Sequence, residues 1–146
     1  MNRPKRIIIH HSATKDSGTV SWGAIRRYHV ETNGWRDIGY HAGIEQVDDH
    51  FEIQTGIDPL TIGIHTKGHN ANTLGFCFVG DYDAVAPSHE MLEMAVDKVL
   101  LPWCIRFGVT VANVRGHRDY SPKTCPGRLF NMDELREMIR VRMEQG

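Results

Sequence analysis

No stretch of this 146-residue chain is apolar for long enough to cross a bilayer as a helix, which takes about 20 consecutive residues, so a membrane-spanning helix is excluded. Cysteine is scarce. Cys77, Cys104 and Cys125 form an odd, widely spaced set, unlike the dense, even framework of a disulfide-stapled secreted domain, and a reducing compartment suits them better. Excess charge of either sign is missing as well. A formal net charge of −1 offers none of the basic surplus that marks nucleic-acid binding, so no nucleic-acid partner is expected. The opening MNRPKR is basic, but only Ile7, Ile8 and Ile9 separate it from two histidines, too short for the ~7–15-residue apolar region of a secretory signal. No export signal is read, and cytoplasmic synthesis is the expectation.

What is present suits one globular domain over residues 1–146, with 40% hydrophobic and 24% charged residues. Lys5 to His11 carries its isoleucines without alternation, as a strand buried on both faces does. Ser21 is placed to cap a helix from Trp22 to about Thr32, with Trp22, Ile25 and His29 on one face and Asn33-Gly34 as its stop. Gly39 to Val47 and Phe51 to Thr55 read as strands joined by a tight turn at the Asp48-Asp49 pair. Residues 56–73 lack periodicity and read as a long loop, a class that more often carries function than mere connection. Leu74 to Gly80 reads as a second buried strand. Ser88 caps a long helix whose apolar stripe runs to Phe107 and ends at Gly108. Val109 to Val114 reads as a short strand, and Asn131 with Glu134 forms a capping box for a last helix.

Nine histidines are many for this length, and imidazole is the commonest metal ligand. The sharpest local feature is GHRDYSPKTCPG at 116–127, a proline-stiffened loop holding His117, Lys123 and Cys125. A catalytic zinc takes three protein ligands and keeps one position open, so a third ligand must come from elsewhere, with His10 the leading candidate. Successive strand side chains point to opposite faces, so at most one of His10 and His11 faces that loop; spacing does not choose between them. Cys77 and Cys104 lie in apolar runs and read as buried packing residues. Cys125 sits in a polar loop two residues from Lys123, where a cation and a metal both favour the thiolate. The rival chemistry is a thiol nucleophile, Cys125 paired with His117. Tyr40 follows Gly39 and reads either as a packed aromatic or as a polar group able to polarise a carbonyl or water.

Taken together, IIIHHSAT at 7–14, GYH at 39–41, GIHTKGHN at 63–70, LGFCFVG at 74–80 and HRDYSPKTCPG at 117–127 resemble the type 2 N-acetylmuramoyl-L-alanine amidases, which include phage lysozymes of the amidase type. The animal peptidoglycan recognition proteins are similar in fold. The resemblance implies an α/β fold, a central mixed sheet flanked by helices with zinc at the bottom of a surface groove. It implies zinc ligands at His10, His117 and Cys125, catalytic assistance from Tyr40 and Lys123, and a place for His65 in the substrate cleft, with Asn70 shaping the loop beside it. Some branches place a glutamate where Cys77 stands, which gives the Tyr40–Lys123 arrangement more weight here. The implied reaction is hydrolysis of the amide between the lactyl group of N-acetylmuramic acid and L-alanine in peptidoglycan. A phage endolysin is the first expectation, reaching the wall through a membrane pore made by another protein and working as a monomer without a separate wall-binding module. The best-known phage relative contacts a viral RNA polymerase through an N-terminal extension; here the first strand begins after about six residues, and polymerase binding is not expected. A cytoplasmic amidase that recycles wall fragments shares this chemistry. A receptor that has lost catalysis is the alternative of another class, and Cys125 argues against it.

Overall fold

The computed structural model describes residues 1–14 and 21–146. Among these residues five strands form one mixed sheet in the order β3-β2-β4-β1-β5, where β1 is Arg6–His11, β2 Ala42–Val47, β3 His50–Thr55, β4 Thr73–Phe78 and β5 Val114–Gly116. β1 lies parallel to both β4 and β5, β2 is parallel to β4, and β2 and β3 form an antiparallel hairpin turning at Asp48-Asp49. Ile7, Ile8 and Ile9 are fully buried, as their unbroken apolar run requires. Among the described residues no helix is long and apolar enough to cross a membrane.

The two faces of the sheet are covered differently. Ile7 and Ile9 of β1 and Leu74, Phe76 and Phe78 of β4 meet a thick helical layer. That layer is built by α2 (His89–Ala95), which runs through a π turn at Val96–Leu100 into α3 (Leu101–Phe107), and by α4 (Met132–Gln145). Each fully buried aliphatic or aromatic side chain there contributes about 1.5–3 kcal/mol. The long helix expected from Ser88 to Gly108 is continuous, with Ser88 accepting from the Met91 N–H and Gly108 ending it at φ 66°. Within it the hydrogen bonding widens to a π turn at Val96–Leu100, a change the apolar stripe does not predict. Pro102 has no N–H to donate, and the widened turn at 96–100 comes just before it, as expected where a helix accommodates a proline. The opposite face carries a thinner cover: Trp22, Ile38, Cys77 and Val79, with Ile25 and Tyr40 packed against them.

Three expectations are corrected. Ser21 stands at the N-cap of α1 (Trp22–Arg27) but makes no side-chain cap bond; the buried Glu45 carboxylate accepts from the Trp22 N–H at 2.8 Å instead. The second strand starts at Ala42 rather than Gly39, leaving Tyr40 in the approach to it. The fifth strand is Val114–Gly116, preceded by a 3-10 turn at Val111–Asn113, and not Val109 to Val114. The shift matters for the site. Ile9 pairs with Gly116, so His117 emerges level with His10 at the ends of two adjacent parallel strands.

Candidate metal centre

β1 delivers two histidines to opposite faces. His10 pairs with Cys77 in register and shares the face of Ile8, Gly75 and Cys77, whereas His11 pairs with Phe78 on the helix-covered face. There the Nδ1 of His11 accepts the Tyr82 N–H at 3.1 Å, which makes His11 a structural tie. On the other face, His10 Nδ1 lies 3.8 Å from Cys125 Sγ, and the ring centroids of His10 and His117 are 4.6 Å apart. One ligand atom from each of His10, His117 and Cys125 lies within 4.8 Å of the others, and among the described residues this is the one such cluster. Two imidazoles and a thiol at that spacing fit the borderline-soft zinc ion, whose bonds of about 2.0–2.3 Å require only a small contraction of the triangle.

The loop that brings Cys125 to the site is closed on itself. The Arg118 guanidinium donates to the carbonyls of Gly127 and Phe130 at 2.7 and 3.0 Å, and the Arg118 N–H donates to the Cys125 carbonyl. Asp83, in the segment after β4, accepts from the Arg128 N–H at 2.7 Å and the Thr124 hydroxyl at 2.9 Å; these bonds hold its carboxyl below the usual range. Gly127 is required where the loop crosses Tyr82: its φ is 121°, and a Cβ there would stand 2.5 Å from the Tyr82 carbonyl carbon. The His11 N–H donates to Cys125 Sγ at 3.3 Å, so the strand end itself steadies the sulfur.

Burial is the main electrostatic influence. It lowers His10 well below the ordinary imidazole value, with the neighbouring His65, His117 and His11 adding to the effect, and it takes His65 down to about 3. It lowers His117 too, with help from the nearby Lys123 ammonium. These rings are therefore neutral at pH 7, the state in which imidazole ligates a metal. Burial pushes the Cys125 thiol up to about 11 despite the opposing pull of the His11 N–H, Lys123 and Arg118. Without a cation the thiolate is scarce, the reverse of what a free nucleophile needs, whereas a coordinated metal removes that proton outright.

A cleft of about 540 Å³ opens onto this triad, lined also by Tyr40, His65 and Lys123. Every residue expected at the site thus faces one cavity. Tyr40 is held 5.2 Å from the His10 ring, with its phenol hydrogen-bonded to Cys77; burial first, then the two thiols, raises its pKa well above 10, so it keeps its proton. His65 stands edge-on behind His10. Asn70 shapes its loop by accepting the N–H groups of His65 and Thr66 at 2.9 and 2.7 Å. Sequence reasoning missed Thr66 and Thr73, whose hydroxyls contact these histidine rings, and Gly75, where a Cβ would meet the His65 ring at 2.6 Å. Gly75 carried a signal, because a glycine inside a buried strand often marks a close approach.

Residues 1–128 match the profile of a family described as N-acetylmuramoyl-L-alanine amidase. The endolysin of Enterobacteria phage T3 is 35% identical over 126 residues, covering 82% of this chain and 78% of that protein. Among solved structures, the N-acetylmuramoyl-L-alanine amidase LysC from Clostridium intestinale superposes with a TM-score of 0.80 at 21% identity, over 95% of this chain and 87% of that one. A mutant of Drosophila PGRP-LB in complex with tracheal cytotoxin gives a TM-score of 0.74 at 26% identity, over 92% and 81% of the two chains.

Proposed function

The chain belongs to the N-acetylmuramoyl-L-alanine amidase family, and on that premise we propose that it is a zinc-dependent endolysin that cuts peptidoglycan between the lactyl group of N-acetylmuramic acid and L-alanine. The convergence of His10, His117 and Cys125 at the floor of a cleft walled by Tyr40 and Lys123 carries this reading. That a mutant of the similar PGRP-LB forms a complex with tracheal cytotoxin supports a ligand of that class for this protein. The endolysin reading places synthesis in the cytoplasm and action at the wall after release through a pore made by another protein.

His10, His117 and Cys125 would hold the ion, which when bound supplies Lewis acidity towards an amide carbonyl and a source of nucleophilic water near neutral pH. The remaining work falls to the chain's own groups. Lys123, a solvent-facing cation within electrostatic reach of His117 and Cys125, offsets negative charge developing on the carbonyl oxygen. Tyr40, protonated at neutral pH, orients water or passes a proton towards the departing alanine nitrogen. His65 forms part of the cleft wall. A Cys125–His117 thiol hydrolase is disfavoured by a thiol pushed up to about 11.

The test is digestion of purified peptidoglycan with mass analysis of the products, before and after chelation and after zinc re-addition. The expected result is new L-alanine amino termini on intact glycan strands, lost with the metal and restored by zinc. Cutting that survives full metal removal overturns the zinc assignment. Binding of the wall by zinc-loaded protein without cutting overturns the hydrolase reading.

A further inference from the structure

The face of the sheet that presents His10 also holds a line of hydrogen bonds running from two backbone carbonyls to that ring. Thr73 Oγ1 donates to the carbonyls of His69 and Asn70, at 2.8 and 2.9 Å. Thr73 Oγ1 is also 3.3 Å from His65 Nε2, and His65 Nδ1 is 3.0 Å from His10 Nε2. His10 Nδ1 then faces Cys125 Sγ. From these contacts we propose that Thr73 and His65 form a relay of fixed polarity that sets the tautomer of His10 and aims its Nδ1 lone pair at the metal, making His65 a positioning residue.

The polarity follows from what each group can do. A carbonyl only accepts, so the single hydroxyl hydrogen of Thr73 is committed to His69 or Asn70, and Thr73 must accept from His65. The hydrogen of the neutral His65 ring therefore sits on Nε2, which leaves Nδ1 bare. A bare Nδ1 at 3.0 Å requires a donor, so His10 carries its hydrogen on Nε2 and leaves Nδ1 free to ligate. Thr66 Oγ1, 2.9 Å from His65 Nδ1 and 3.3 Å from His10 Nε2, completes the triangle with a rotatable hydroxyl that can donate to the one or accept from the other without reversing the order. Two further features are built around the relay. Gly75 leaves the space that the His65 ring occupies, and the Asn70 side chain pins the backbone on both sides of the His65–Thr66 peptide. Metal-bound histidines commonly have their second nitrogen fixed this way, usually by a carboxylate or carbonyl; here another histidine intervenes.

This inference rests on the zinc reading, and the experiment separates the two. Zinc affinity is measured by chelator competition, and the imidazole nitrogens are followed by two-bond 15N–1H correlation in the full chain, with and without zinc. The wild type is expected to show His10 and His65 both protonated at Nε2. Thr73→Val is expected to admit the Nδ1-protonated form of His65 and, through it, of His10, and to weaken zinc binding by about ten- to a hundredfold. Thr73→Ser should restore both readouts. His65→Asn, whose side-chain oxygen can stand in for Nδ1, should bind zinc more tightly than His65→Ala. An unchanged His10 tautomer and affinity in Thr73→Val and His65→Ala overturns the relay while leaving the zinc site standing. Equal losses in Thr73→Val and Thr73→Ser also overturn it, since packing alone then explains the effect. A wild type that binds no zinc, or whose affinity is unmoved by Cys125→Ser, overturns the zinc reading itself.

Discussion

His10 and His11 are adjacent and chemically identical, yet the strand sends them into two different environments. On the helix-covered face His11 is fixed by one backbone N–H and packs beside Tyr82. On the thinly covered face His10 meets His65, His117, Tyr40 and Cys125 and lines an open cleft. Folding stability and chemistry are thus divided between the two sides of one sheet. The thick helical layer supplies the rigidity, and the face with little cover leaves an open cleft. This division predicts that substitutions on the cleft face remove activity at little cost in stability, and that those on the helix face do the opposite.

The largest effect is expected at the proposed metal ligands. Cys125→Ser and His10→Ala should abolish zinc binding and amidase activity together, read by metal analysis of the purified protein and by release of amino termini, with the fold retained by circular dichroism. Tyr40→Phe should keep its zinc and lose about 10²–10⁴-fold in kcat, the usual contribution of a general acid–base group. Lys123→Ala should also keep its zinc and lose about 10²–10³-fold, as on removing one oxyanion-stabilising donor. If either variant loses its metal in step with its activity, the separation of catalytic assistance from ligation fails.

Much of this division was legible in the sequence. The isoleucine run marks β1 as buried on both sides, and alternation says that its two histidines must part company. The Cys125 loop stands out because a cysteine among prolines and a lysine is unlike Cys77 inside LGFCFVG. What remained hidden depends on pairing between strands. The identity of the inward histidine depends on the β1–β4 register, and the approach of His117 depends on β5 beginning at Val114, three-dimensional facts without a local pattern. Glu45 capping a helix 23 residues away is another such fact, since a local serine offered the nearer explanation. Thr66 and Thr73 act through hydroxyls that look like ordinary loop and strand-start residues until His65 is placed beside them.

Acid should sharpen the contrast in the metal-free protein. His65 titrates at about 3 when folded and near 6.5 when unfolded, so between those values the unfolded chain binds more protons and stability falls as pH is lowered. The contribution is fully present above pH 6.5 and gone below about pH 3. Urea midpoints measured from pH 7.5 to 4 should decline, and His65→Asn should decline less steeply. A parallel decline in the two proteins would mean that other groups, among them His10, account for the slope.

The smallest effect lies on the helix face and is the cleanest reversal of the ligand variants. His11→Ala removes the Nδ1 that accepts the Tyr82 N–H in a buried setting, which costs about 1–3 kcal/mol. His11→Asn places an oxygen close to where Nδ1 stood and should recover most of that loss. Both variants should bind zinc and cut peptidoglycan at near wild-type rates below their melting temperatures, because the N–H that steadies Cys125 belongs to the backbone of residue 11 and survives either change. Loss of zinc in His11→Asn with stability intact would show that the two faces are not independent, and that the Tyr82 tie reaches through the strand to the metal.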